Sequence, residues 1–228
     1  MTKIFDLSKD TIRDLNQALH QLPQAGNKET WQVLNPKGEH AIACGANADV
    51  TIEIAGHVGY YCAGMNQLAN IHVGGNVGTG VAENMMSGVV RVKGNASQSA
   101  GATSHGGLLV IEGDAAARCA ISLKGADVVV GGSVGHMTGF MAQKGNIVIC
   151  GDAGNALGDS LYEANIFLRG KTSELGADCE QKSMEPADVD LLGGLLEQAS
   201  INLKPQDFKH YGSARRLYHF DVKQATSY

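Results

Sequence analysis

Residues 89–107 read VVRVKGNASQSAGATSHGG, and residues 108–126 read LLVIEGDAAARCAISLKGA. Set one above the other, the two lines agree in kind. Each opens with a short run carrying apolar residues at its second and fourth places. A charged residue, a glycine and a stretch of small residues follow. Counting outward, Gly56, Gly75, Gly94, Gly113, Gly132, Gly151 and Gly170 are each 19 residues apart. Other rows keep the same period. Three residues after these glycines stand Gly59, Gly78, Ser97, Ala116, Gly135, Gly154 and Ser173. Seven after stand Ala63, Ala82, Gly101, Ala120, Gly139, Gly158 and Ala177, all small. A fixed period of this length is the signature of a repeat architecture.

The apolar pairs decide which architecture. They are Ile52/Ile54, Ile71/Val73, Val90/Val92, Leu109/Ile111, Val128/Val130, Ile147/Ile149 and Ile166/Leu168. Alternation at period two predicts a strand with one apolar face. One coil cannot bury that face alone, but stacked coils can, and stacking also pairs their backbone groups. The chain therefore reads as an all-β, single-stranded β-helix of about seven 19-residue coils with short helical caps. At roughly 4.8 Å per strand the column is on the order of 30 Å long. Its glycines predict corners or close backbone approaches, so Gly113→Val and Gly132→Val are expected to damage folding.

Three regions follow: a lead-in over 1–45, the repeat over 46–180, and a C-terminal helix and tail over 181–228. The stripe Ile12, Leu15, Leu19, Leu22 predicts a helix over Asp10–Leu22, with Ser8 or Asp10 as N-cap. Val33 lies 19 before Ile52 and suggests a partial coil, which Pro36 interrupts. Ala187–Ala199 also reads as helix. The middle strand position, which should face outward, runs Glu53, His72, Arg91, Val110, Val129, Val148, Phe167. The last four require a cover, either the C-terminal helix or another subunit.

A net charge of −5 argues against a general nucleic-acid binder. No apolar run is long enough for a membrane helix, and the N-terminus lacks a signal-peptide pattern, so a cytoplasmic location is expected. Cys44, Cys62, Cys119, Cys150 and Cys179 form no metal-ligand spacing and are expected to be reduced, mostly buried thiols. His57, His72, His105 and His136 fall at four different places in the coil. The glycines of 74–80 lack a following helix and fail as a phosphate loop. No catalytic, cofactor-binding or metal-binding set emerges. The polar and aromatic residues Tyr60, Tyr61, Asn66, Glu83, Asn84, His105, Arg118, His136, Asp159 and Glu163, with Arg215 and Arg216 of the tail, are candidate partner or tunnel contacts. Turn and coil-edge roles are the competing reading for the polar ones, and packing along the column for the tail.

Longer strings carry a resemblance. They are GHVGYYCAGMNQ (56–67), GVAENMMSG (80–88), SQSAGATSHGGLLVIEGDAAARC (97–119), GGSVGHMTGFMAQKG (131–145), CGDAGNALGDSLYEA (150–164) and RRLYHFD (215–221). Over about Ala48 to Cys179 the chain resembles the GXGXG β-helix domain of the large glutamate synthase subunit and of a formylmethanofuran dehydrogenase subunit. It is most similar to the free-standing β-helix subunit of N-methylglutamate synthase. The resemblance implies a right-handed coil and no catalytic residue in this chain. It implies two partners: a class II glutamine-amidotransferase-like subunit, and an FMN-binding glutamate-synthase-like subunit with FMN and an iron–sulfur cluster. The implied reaction makes N-methylglutamate and ammonia from glutamate and methylamine. The chain would space the active sites and form part of an ammonia tunnel wall. Small residues such as Gly101 and Gly139 are expected at that interface. The same scaffold in an ordinary glutamate synthase or a formyl-handling complex stays open, as does a free-standing β-helix enzyme.

Overall fold

The computed structural model describes residues 2–25 and 29–215. Seven strands form the predicted ladder: β3 (Thr51–Ile54), β4 (Asn70–Val73), β5 (Val89–Val92), β6 (Leu108–Ile111), β7 (Lys124–Val130), β8 (Lys144–Ile149) and β9 (Asn165–Leu168). Each pairs in parallel with the residue 19 further on, as in Ile52↔Ile71 and Val128↔Ile147. A second ladder of single bridges runs Val58, Val77, Ala96, Ala115, Val134, Ala153, Thr172. The β-solenoid is thus built, and its inward pairs from Ile52 to Leu168 are all buried in one core.

The sheet extends into both flanks. β2 (Thr30–Leu34) continues it below β3, and β1 (Thr2–Asp6) pairs in parallel with β2. The lead-in coil is two residues longer than the repeat, so Val33 faces Ile54, and Trp31 occupies the rung below Ile52. This corrects the expected alignment of Val33 with Ile52. The extra length lies around Pro36, flanked by Asn35 and Lys37, both at positive φ.

Helix α1 (Ile12–His20) connects β1 to β2 and lays Leu15 and Leu19 against the end of the core. Phe5 stacks on the indole of Trp31 at 5.4 Å, completing that cap. The N-cap is Thr11, not Ser8 or Asp10. Its hydroxyl accepts the Asp14 N–H, and the Asp14 carboxylate bonds back to Thr11 in a capping box. Ser8 and Asp10 are already engaged with Asp6 in the preceding turn.

At the other end the direction reverses. After β10 (Cys179–Lys182) comes α2 (Pro186–Ala199), a short 3-10 turn at Pro205–Asp207, and β11 (Lys209–Ser213). β11 inserts antiparallel between β9 and β10, so one reversed strand separates the column from β10 at the edge of the sheet. α2 answers the question of the outward stripe. Val110, Val129, Val148 and Phe167 are wholly buried under Leu192, Leu195, Leu196 and Ala199. The stripe changes character at Arg91, whose guanidinium donates to the carbonyls of Gln198 and Ala199 at 2.9 Å. That cation caps the helix where its dipole is negative.

The phase glycines are small because coils approach closely. A Cβ at Gly75 would stand 2.7 Å from the Gly56 carbonyl carbon, and one at Gly132 would stand 2.1 Å from Asp114 Oδ1. The next position of each coil supplies an acceptor for the coil above. His57 Nδ1, Asn76 Oδ1, Asn95 Oδ1, Asp114 Oδ1, Ser133 Oγ and Asp152 Oδ1 each accept the backbone N–H 19 residues on, at 2.7–3.0 Å.

Candidate functional site

The side of the column between the two ladders has an unusual backbone. In each coil every second residue takes the left-handed conformation: Tyr61, Ala63, Met65; Gly80, Ala82, Asn84; Ser99, Gly101, Thr103; Arg118, Ala120, Ser122; Met137, Gly139, Met141; Ala156, Gly158, Ser160. The alternation turns successive N–H groups in opposite directions. Tyr61 N donates to Thr79 O above, Ala63 N to Ile42 O below, and Met65 N to Glu83 O above. Left-handed φ costs an ordinary residue about 1 kcal/mol or more, and these inter-coil bonds offset it. The middle residue of each triplet points inward and must be small. The outer two are partly or fully exposed, the buried Gly80 apart.

This geometry sorts the expected contacts. Tyr60, Tyr61, Glu83, Asn84, Arg118, His136 and Asp159 lie on this one side. Tyr60 is 59% exposed and stacks on His40 at 4.6 Å, and His40 Nδ1 accepts its N–H. Asn84 Oδ1 accepts from the Thr103 hydroxyl at 2.7 Å, and Asp159 Oδ1 accepts from Ser160 Oγ at 2.8 Å. His105 and Glu163 sit around the next corner, exposed beside that side. Asn66, expected at the surface, is instead 0% exposed. Its amide bonds both backbone groups of Ala69 and the Ser87 carbonyl, so it braces a corner. Gly101 and Gly139 are not interface residues either. Both are buried, and a Cβ on them would meet Leu109 and Val128, or Ile147 and Ile166, at 3.1–3.2 Å inside the core. Arg215 lies at the C-terminal end in an ion pair with Asp178. Arg216 and the aromatic tail after it lie outside the described residues.

What the sequence did not single out is the apolar character of this side. Met65, Met86, Met141 and Tyr162 are exposed on it and its edge, with Ile121, Met137 and Phe140 partly exposed between them. Unlike the strand face, it has no helix of the described residues across it. Among the described residues no group of three or more His, Cys, Asp or Glu side chains is placed to hold a metal. Nor does any helix of the described residues have the length and apolarity to cross a membrane.

No family model matches the chain. Protein GlxC of Rhizobium meliloti (strain 1021) is 52% identical to it over 226 residues, which is 99% of both chains. The chain belongs to the GlxC family. The match to GlxC runs through the residues of both caps as well as those of the column.

In this GlxC-family chain Cys62, Cys119 and Cys150 are buried and Cys44 and Cys179 are partly buried, and none is activated. Desolvation pushes Cys62 and Cys119 up to about 12 and Cys150 and Cys179 up to about 11, and it also raises Cys44. A thiolate nucleophile would need the opposite environment. A second feature escaped the sequence reading. An open cleft of about 730 Å³ lies at the C-terminal end, lined by residues including Tyr162, Glu163, Lys182, Asp188, His210 and Arg215.

Proposed function

We propose that the chain is the β-helix scaffold subunit of a glutamate-synthase-like complex, specifically an N-methylglutamate synthase. In this reading it holds a class II amidotransferase-like subunit and an FMN- and iron–sulfur-containing synthase subunit at a fixed spacing. The complex exchanges the amino group of glutamate for methylamine, giving N-methylglutamate and ammonia. The single observation that carries the reading is the set of exposed methionine and aromatic side chains from Met65 to Tyr162 on the left-handed side, which no helix of the described residues covers, while α2 covers the strand face. Exposed methionine and aromatic side chains on a rigid surface favour burial by a partner. The core supports a further point. The inward pairs of β3 to β9 are all Ile, Val or Leu and are buried, so any passage for ammonia or amine runs alongside the column at a subunit interface. Enclosure there would keep a small amine from escaping between active sites.

The test is affinity purification of the tagged chain from its native extract, with flavin absorbance and methylamine-dependent N-methylglutamate formation measured on the eluate. A yellow, active, multi-subunit eluate is expected. A colourless lone chain would overturn the proposal.

A further inference from the structure

The fold sorts the methionines of this chain. The sequence holds seven, of which Met1 alone lies outside the described residues. Met85 is wholly buried in the core of the column, and Met184 packs against the apolar cluster under α2. The remaining four, Met65, Met86, Met137 and Met141, all stand on the left-handed side or its edge. Met65, Met86 and Met141 are 44%, 49% and 40% exposed, and Met137 is partly exposed. Met85 and Met86 are consecutive, so a single peptide bond divides a closed thioether from an open one.

The backbone beneath these side chains is held by neighbouring coils. Met65, Met137 and Met141 take left-handed φ, and their N–H groups donate to the carbonyls of Glu83, Asn155 and Asp159 above at 2.8–2.9 Å. Met86 N donates to the Asn66 carbonyl below at 2.8 Å. None of the four belongs to the core, so a change at sulfur alters the surface without unseating a coil. The change open to an exposed thioether is oxygen transfer from a hydroperoxide. The sulfur lone pair attacks one peroxide oxygen. The S–O bond forms as the O–O bond breaks, and the peroxide proton passes to the departing oxygen. Sulfur is oxidised by two electrons to the sulfoxide, and the peroxide is reduced to water or an alcohol. The product places a polar acceptor where an apolar group stood. Buried under a partner without a donor, such a group is destabilising.

We propose, on the reading of the left-handed side as a docking surface, that Met65, Met86, Met137 and Met141 form a peroxide-sensitive modification site whose conversion to sulfoxides blocks docking there. The form that reacts is the chain awaiting assembly, because a docked partner shields the thioethers. Met85 is closed off by the core and stays reduced. Oxidation in this way withdraws free chain from assembly while leaving the column folded. The change is reversible, since sulfoxide reductases restore the thioether.

Two measurements on the full chain test this. The purified tagged chain is treated with hydrogen peroxide, transferred to a thiol reductant and mapped by peptide mass spectrometry. Met65, Met86, Met137 and Met141 are expected to gain oxygen well before Met85, with the melting temperature unchanged. Oxidation of Met85 at the same rate, or unfolding on treatment, would overturn the site. Untreated, oxidised and reductase-restored chains are then each presented to extract from cells lacking the endogenous chain, and the captured flavin absorbance is read. The oxidised chain is expected to capture less flavin by roughly tenfold or more, and sulfoxide reductase is expected to restore the capture. Undiminished capture by the oxidised chain, or a loss that the reductase does not reverse, would overturn the proposal while leaving the docking surface in place. Absence of flavin with the untreated chain would overturn the docking surface itself, and the proposal with it.

Discussion

Replacing Gly132 with alanine puts a methyl group where the coil below already stands. The new Cβ would lie 2.1 Å from Asp114 Oδ1 and 2.9 Å from the carbonyl carbon and oxygen of Gly113. Neither backbone atom can rotate away. The carboxylate can move only by releasing the Ser133 N–H, which it accepts at 2.7 Å. A hydrogen bond to a charged group contributes about 1.5–3 kcal/mol, and overpacking costs about 1–3 kcal/mol. Together they give a destabilisation of roughly 2.5–6 kcal/mol. At about 2–4 °C per kcal/mol for a chain of this size, the melting temperature should fall by roughly 5–24 °C. Gly194 provides the contrast. It lies inside α2, and a Cβ there would meet nothing within 4 Å. Gly194→Ala should gain about 1 kcal/mol of helix propensity and raise the melting temperature by roughly 2–4 °C. Thermal unfolding followed by circular dichroism reads both. If Gly132→Ala melted within about 2 °C of wild type, the close stacking of coils would be refuted.

Other perturbations probe the cap, a corner and the thiols. Phe167→Ala empties the space beneath α2 and beside His210, so it should cost about 3–5 kcal/mol in denaturant unfolding and make α2 an early site of limited proteolysis. Asn66→Ala leaves the buried backbone groups of Ala69 and the Ser87 carbonyl without that partner, and should cost about 2–3 kcal/mol by the same assay. Cys62 and Cys119 should resist alkylation in the folded chain at mildly alkaline pH and react on unfolding, as followed by mass spectrometry. The linkage has a definite sign. Above the ordinary thiol value of 9.0 the unfolded chain loses protons that the folded chain keeps, up to about 12 for these two. Stability should therefore decline as pH rises through that window, which a series of urea titrations would record.

The column was legible because its rules repeat. A row of seven glycines and seven apolar pairs in register leaves little freedom in how the coils stack. What stayed hidden did not repeat. β1 has no phase partner, because it joins β2 through a helix instead of a coil, and two residues around Pro36 moved Val33 off its expected rung. The left-handed side was masked because Tyr61, Arg118 and Met137 take positive φ without being glycine. Gly101 and Gly139 looked like interface residues because smallness has two causes, a partner outside or a crowded core inside, and only coordinates separate them. The apolar stripe from Val110 to Phe167 demanded a cover, but its identity depended on α2 folding back across four coils. The surroundings of His210 could not be foreseen. This residue is 45 residues from Asn165, and its other partners come from α2 and the end of β10.

The central claim is that the left-handed side docks a flavin-bearing subunit. Phe140 and Met141 lie on that side, outside the core, so Phe140→Arg with Met141→Arg should leave the melting temperature unchanged while placing two charges on the docking surface. The decisive measurement compares the flavin absorbance recovered with tagged wild-type chain and with this double variant from native extract. The account predicts a flavin-containing assembly with wild type and its loss in the variant. A colourless wild-type preparation, or undiminished flavin with the variant, would contradict it.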